Sequence, residues 1–101
     1  MVRHVIWSEK AQKDRIAIFT YWNNRNESFI YSKKLNEQIK ESLKLISKHP
    51  LIGQLTQKEN VRVKILRDYL IIYEVTVGEI IVLSLWDCRQ NPKSLNIDTI
   101  P

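Results

Sequence analysis

VRVKILRDYLIIYEVTVGEIIVLSLW, residues 61–86, is the stretch of the chain that decides the fold. Apolar and charged residues alternate at its start, which is the two-residue period of a β-strand with one buried face. Its last eight residues are apolar almost throughout, as expected of a central strand that is covered on both faces. Arg67-Asp68 and Gly78 interrupt the pattern with residues that favour turns. The stretch therefore predicts an antiparallel meander of three strands, over residues 61–65, 69–75 and 79–86.

Two helices are predicted before the meander. Ser8 is placed to cap the first helix, because its hydroxyl can accept an amide proton at the helix start. We expect that helix to end near Asn23-Asn24, where asparagine tolerates the left-handed cap conformation. The second helix covers roughly Glu27 to His49 and is stopped by Pro50. Its apolar residues have helical spacing and predict one buried stripe: Leu35, Ile39, Leu43 and Ile46.

A short strand over residues 3–7 opens the chain, so the predicted order is β-α-α-β-β-β. The link between the helices is short, which makes them an antiparallel hairpin. The apolar stripe of that hairpin must cover one face of the sheet, and the opening strand is too short to stand outside it. The prediction is one α+β domain over residues 1–101, with an antiparallel sheet packed on a two-helix hairpin.

Composition excludes several classes of protein. Apolar residues are 44% and charged residues 27% of the 101, an ordinary globular balance rather than a disordered one. No apolar run approaches the roughly 20 residues that span a bilayer, and the N-terminus lacks an apolar signal core, so we expect a cytoplasmic protein. Cys88 is the single cysteine, which excludes an internal disulfide. We do not expect it to be a nucleophile, because no histidine or other base lies near it in the sequence. His4 and His49 lack ligand spacing, so neither a metal nor a cofactor is expected.

The formal net charge of +5 permits an acidic partner, such as nucleic acid or an acidic peptide. The excess lies in the first half of the chain, where ten lysines and arginines stand against five acids. A solvated helix face is the simpler interpretation of that excess.

Several short motifs follow one another along nearly the whole chain: Trp7-Ser8, Ala11, Ile18, Trp22, HPLIG at 49–53, Arg62, DYLIIYEV at 68–75 and IIVLSLWDCRQNP at 80–92. In this order and spacing they resemble the RelE/ParE toxin superfamily. The resemblance implies the toxin of a type II toxin–antitoxin (plasmid stabilisation) module, which inhibits bacterial growth and is neutralised by a co-produced antitoxin.

Two mechanisms occur among the proteins that this chain resembles. RelE-like members cut messenger RNA in the ribosome, and ParE-like members poison DNA gyrase. The RelE-like pattern Y-R-x-x-Y falls on Tyr69 to Tyr73, where Leu70 stands in the place of the arginine. The tail after Pro92 also lacks the tyrosine or histidine of that pattern. We therefore expect a ParE-like gyrase poison, with a RelE-like mRNA endonuclease as the alternative and a non-toxic nucleic-acid-binding or adaptor module as a third.

The candidate target-binding residues lie in and after the meander. Arg62 and Lys64 are expected on the sheet face that the helices leave open, where Arg89 could join them and bind a phosphate. In a ribonuclease these three cations would be the catalytic candidates, and Glu59 could serve as the base. The competing interpretation is an ordinary solvent face for Arg62 and Lys64, and an ion pair between Asp87 and Arg89.

Two further residues complete the target-binding candidates, Arg67 and Gln90. Arg89 is the strongest of all, because polar loops after buried strands often carry function. The partner-binding candidates are the lysines of the second helix, which should attract an acidic antitoxin segment: Lys33, Lys34, Lys40, Lys44 and Lys48. The alternative is that these lysines only keep a basic helix soluble.

Overall fold

Two helices and four longer strands follow the predicted order, with one short strand added. The computed structural model describes residues 2–89. The elements are β1 (His4–Trp7), α1 (Glu9–Asn26), α2 (Ile30–Lys48), a 3-10 turn (Pro50–Ile52), β2 (Gln54–Leu55), β3 (Val61–Leu66), β4 (Tyr69–Val75) and β5 (Glu79–Asp87). The predicted α+β class and the helix hairpin are confirmed.

The five strands form one sheet in the order β1-β5-β4-β3-β2. Strands β3, β4 and β5 are the predicted antiparallel meander. The opening strand joins the sheet as predicted, but it pairs parallel to β5, from His4 opposite Glu79 to Trp7 opposite Val82. The sheet is therefore mixed rather than wholly antiparallel.

The start of α1 agrees with the sequence, and its end does not. The Ser8 hydroxyl accepts the Ala11 amide proton at 3.0 Å and donates to the Leu83 carbonyl of β5 at 3.1 Å. The helix continues past the predicted stop at Asn23-Asn24 to Asn26, and Glu27 takes the left-handed cap conformation. Asn23 stays helical because its side chain accepts a hydrogen bond from Ser32 of α2 and its carbonyl accepts the Glu27 amide.

The main core lies between the helix hairpin and one face of the sheet. It contains the predicted stripe of α2 together with Tyr69, Ile71 and Tyr73 of β4 and Ile80 and Val82 of β5. A smaller cluster on the other face joins Val61, Val63 and Ile72. The prediction that β5 is covered on both faces is half right, because its residues on this second face, such as Leu83, stay partly exposed.

A register shift in β5 lies beside the point where this strand contacts α1. The pairing of β4 with β5 slips between Ile72, which pairs with Ser84, and Tyr73, which pairs with Val82, so Leu83 is an extra residue in β5. The Asp14 carboxylate of α1 accepts hydrogen bonds from the Ser84 hydroxyl at 2.9 Å and from the Leu85 amide at 3.1 Å. Lys10 donates to both Asp14 and Ser84, so the charge of Asp14 is compensated at the same point.

Neither described helix is long and apolar enough to cross a membrane.

Candidate functional site

Arg62 and Lys64 do not lie on the open face of the sheet, so that prediction is wrong. In the register of β3 and β4 they stand opposite Tyr73 and Ile71, whose side chains belong to the core beneath the helices. Residues opposite each other in an antiparallel pair share a face. The two cations are therefore on the helix-bearing side, because the valines that alternate with them occupy the second core.

Arg62 holds the turn that follows α2. Its guanidinium donates to the carbonyls of Leu51 at 3.1 Å and Gly53 at 2.8 Å. Beside it, the buried Tyr73 hydroxyl donates to the Pro50 carbonyl at 2.8 Å and accepts the Gly53 amide proton at 2.9 Å. Burial raises the pKa of the Tyr73 phenol. Arg62 and Tyr73 together fix the HPLIG segment, which is a structural task.

Arg89 is held by Asp87 directly after β5. Its Nε and Nη2 donate to the two Asp87 carboxylate oxygens at 2.9 and 2.7 Å, and its backbone amide donates to Oδ1 at 2.9 Å. These hydrogen bonds hold the pKa of Asp87 below its usual range. The pairing that the sequence left as an alternative is therefore formed.

Aromatic rings surround the guanidinium of Arg89. Its carbon lies 4.8 Å from the ring centroid of Trp22, 5.8 Å from that of Tyr21 and 5.9 Å from that of Tyr69. The Tyr69 hydroxyl accepts from Arg89 at 3.3 Å and from the Trp22 indole at 2.6 Å, and burial raises the pKa of this phenol. A cation within about 6 Å of aromatic faces is stabilised by them. We call these four residues, together with Asp87, the Arg89 cluster.

The predicted convergence of Arg62, Lys64 and Arg89 does not form. Arg62 is paired with Tyr73, whereas Arg89 contacts Tyr69, four residues earlier on β4. At about 3.3 Å per strand residue, these points are about 13 Å apart. Lys64 lies between them, half-buried on β3.

The other predicted residues are spread over the surface. Arg67 has a φ of 55° in the β3–β4 turn, so its backbone serves the hairpin while its side chain is exposed. Glu59 is exposed in the loop before β3, and Gln90 lies outside the described residues. Within residues 2–89 no three histidines, cysteines or acids lie close enough to hold a metal ion. Burial and neighbouring acids raise the pKa of the Cys88 thiol, which is the wrong direction for a nucleophile.

A groove of about 530 Å³ opens between α1 and the end of β5, next to the Arg89 cluster. Ala17, Ile18 and Tyr21 line it from the helix, and Leu85, Trp86 and Asp87 line it from the strand. Sequence reasoning missed this groove, since nothing in the spacing of residues 17–21 shows which strand they face.

The lysines predicted to bind a partner are all exposed on α2. Helical periodicity places Lys33, Lys40, Lys44 and Lys48 on one side, away from the buried stripe. Glu37 lies among them and pairs with Lys40 at 3.8 Å. The face is therefore basic but not uniformly so.

Comparison with protein families supplies the identity of the fold. The family model described as the ParE toxin of the type II toxin–antitoxin system parDE matches residues 5–92. The chain belongs to the ParE toxin family. The resemblance seen in the sequence is thus confirmed, and as a type II toxin the protein has an antitoxin as its partner.

A solved structure supports the same architecture. The chromosomal ParDE toxin–antitoxin system from P. aeruginosa contains a chain that is similar with a TM-score of 0.71 and 20% sequence identity. The match covers 85% of this chain and 96% of that one, and at this identity it establishes the fold alone. Comparison with curated protein sequences gave no match.

Proposed function

We propose that this ParE-family toxin inhibits bacterial growth by binding and poisoning DNA gyrase, and that it does not cut RNA. The observation that carries the proposal is the separation of its cations. Arg62 donates to two backbone carbonyls beside Tyr73, and Arg89 is paired with Asp87 beside Tyr69. Tyr69 and Tyr73 are about 13 Å apart along β4.

A metal-free ribonuclease needs a base, an acid and cations within hydrogen-bond reach of one phosphate. Here the two best cations are occupied by internal acceptors and lie too far apart to share that phosphate. Leu70 stands where the RelE-like pattern has its arginine, and it packs against the second core. These features favour a protein that acts by binding.

The Arg89 cluster is the candidate contact surface for the target. Trp22 and Tyr69 fix the guanidinium, while its outer part remains exposed beside Tyr21. Arg67 lies close by, in the turn immediately before Tyr69. Aromatic and arginine side chains that are held rigid are the groups most often found to dominate the energy of protein interfaces.

Supercoiling of relaxed plasmid by purified gyrase, with increasing amounts of toxin, tests this proposal. We expect inhibition at stoichiometric amounts and trapping of cleaved DNA on gyrase. The variant Arg89→Ala should weaken inhibition at least tenfold, and the matched variant Arg25→Ala, an exposed arginine on α1 outside the cluster, should not. Full gyrase activity at excess toxin, together with codon-phased cuts in messenger RNA from expressing cells, would favour the RelE-like endonuclease instead.

We also propose that the α2 lysines speed capture of the antitoxin. An acidic segment would be attracted to Lys33, Lys40, Lys44 and Lys48, while apolar contacts supply most of the affinity, because exposed ion pairs contribute only about 0–1 kcal/mol each. A toxin with gyrase as target and a co-produced antitoxin would work in the cytoplasm.

A further inference from the structure

We propose that the free edge of β5 at Leu85–Asp87 is a strand-addition site, which takes an extended, apolar segment of the antitoxin flanked by acidic residues. The inference rests on the antitoxin partnership of the family and not on gyrase as the target.

Among residues 2–89, this part of β5 has no strand beside it on the β1 side, because β1 ends early. The last pair between β1 and β5 is Trp7 with Val82, and Ser8 then turns the chain into α1. Beyond that pair, no other strand among residues 2–89 lies beside β5 on the side where β1 pairs. The last five residues of β5, Leu83 to Asp87, therefore have a strand neighbour only on the β4 side.

Hydrogen bonding shows which peptide groups point outward. The Leu85 amide donates to the Asp14 carboxylate of α1, so the Leu85 peptide faces away from β4. Residues two apart on a strand point the same way, and bonded and non-bonded pairs alternate in an antiparallel ladder. Asp87 therefore also faces the free edge, and the Cys88 amide, which donates to Asp68 at 2.8 Å, faces the β4 side as this alternation requires. Asp14 accepts the Leu85 amide proton, whereas within residues 2–89 no backbone hydrogen bond outside the β4–β5 ladder engages the Asp87 amide or the carbonyls of Leu85 and Asp87. These groups can therefore bond to a partner strand.

The groove beside this edge gives the segment its chemistry. Ala17 and Ile18 of α1 and Leu85 of β5 are among the residues that line it, so the groove can take an apolar side chain. The two acids, Asp14 and Asp87, are already bonded to Lys10 and Arg89. Those cations keep exposed side chains, 65% for Lys10 and 41% for Arg89, one toward each end of the edge. Acidic residues on either side of an apolar one therefore complement the site.

An extended peptide added here gains main-chain hydrogen bonds for affinity and one pocket for selectivity, as in other cases of strand addition. It would also cover Arg89 and Tyr21. The site thus offers the antitoxin a direct way to hide the surface that we assign to the target.

The test compares two tryptophan substitutions on exposed positions of α1. Ala17→Trp fills the groove, and Thr20→Trp is the matched control, because Thr20 is exposed and does not line it. Binding of the full-length cognate antitoxin is measured by titration calorimetry, and thermal unfolding checks that both variants fold. We expect Ala17→Trp to weaken binding at least tenfold and Thr20→Trp to change it less than twofold. Should Ala17→Trp fail to fold, Ala17→Glu replaces it, with the same expected loss by charge repulsion.

Amide hydrogen exchange in the complex distinguishes a strand from a helix in the groove. The Asp87 amide should exchange at least tenfold more slowly when the antitoxin is bound, while the Leu85 amide, already bonded to Asp14, changes less. Equal binding by the two tryptophan variants would overturn the site. Weaker binding by Ala17→Trp with an unprotected Asp87 amide would overturn strand addition. Neither outcome depends on the supercoiling assay, so failure of the gyrase proposal is seen separately.

Discussion

Replacing Gly53 by alanine should destabilise this protein far more than a surface substitution does. The added Cβ would collide with the Tyr73 hydroxyl and lie 2.9 Å from two of its ring carbons. Tyr73 is 0% exposed, so its ring has no free space to enter. Overpacking of this kind costs about 1–3 kcal/mol. Displacing the hydroxyl from the Gly53 amide and the Pro50 carbonyl adds about 1 kcal/mol for each hydrogen bond. We expect a loss of about 3–5 kcal/mol in the free energy of unfolding.

A double-mutant cycle isolates the collision. Tyr73→Phe removes the hydroxyl and takes away the partner of the buried Gly53 amide and of the part-buried Pro50 carbonyl, which costs about 1–3 kcal/mol. In that background the alanine Cβ loses its closest contact and displaces no hydrogen bond, but it still lies 2.9 Å from two ring carbons. Gly53→Ala should therefore cost about 1–3 kcal/mol there, less than in the wild-type protein.

Urea unfolding followed by circular dichroism gives the free energy of unfolding of each variant, provided that its dependence on urea concentration has the same slope in all of them. Gly78→Ala is the control, because nothing lies within 4 Å of its added Cβ, and it should change stability by less than about 0.5 kcal/mol. A Gly53→Ala protein as stable as Gly78→Ala, or a cycle whose two costs simply add, would refute the packing described for this turn.

Three further predictions concern charged residues. Because Arg89 lowers the pKa of Asp87, the ionised carboxylate stabilises the fold at pH values above 3.8, its ordinary pKa, and this stabilisation is lost as the pH falls below that value. Asp87→Asn should therefore lower the urea midpoint near neutral pH and lose less stability than the wild-type protein on acidification. Parallel pH profiles of stability for the two proteins would contradict this. Arg62→Gln should lower the free energy of unfolding by about 1–2 kcal/mol and leave gyrase inhibition unchanged. If the variant is stable but no longer inhibits gyrase, Arg62 contacts the target after all. Changing Lys40 and Lys44 to glutamate should slow antitoxin association at least tenfold at low salt in stopped-flow mixing, with little change in dissociation, and an unchanged association rate would mean that this helix face is not the docking surface.

The fold was predictable from the sequence because its strands and helices have clear periods. The alternation of Val61, Arg62, Val63 and Lys64 defines β3 to within a residue. The same alternation cannot say which of its two sides faces the helices, because both sides of this strand are covered to some degree. The prediction chose the wrong side on the assumption that charged residues face water, whereas Arg62 stays near the helices by bonding to backbone carbonyls.

The Arg89 cluster shows a different limit. The pair Asp87 and Arg89 is visible in the sequence, and its ion pair was one of the two interpretations considered. The rings that surround it come from positions that are distant in sequence, Trp22 on α1 and Tyr69 on β4. Only the packing of α1 along β5 brings them together, and a stripe of apolar residues does not specify that packing.

The topology of a reporter plasmid after induction of the toxin tests the central claim most directly. Plasmid extracted at short intervals is separated on chloroquine gels, and messenger RNA from the same samples is read by primer extension. If the toxin poisons gyrase, the plasmid loses negative supercoils or becomes linear before growth stops, while the messenger RNA stays intact. Plasmid that remains fully supercoiled through growth arrest, with cuts in messenger RNA at codon intervals, would contradict the account.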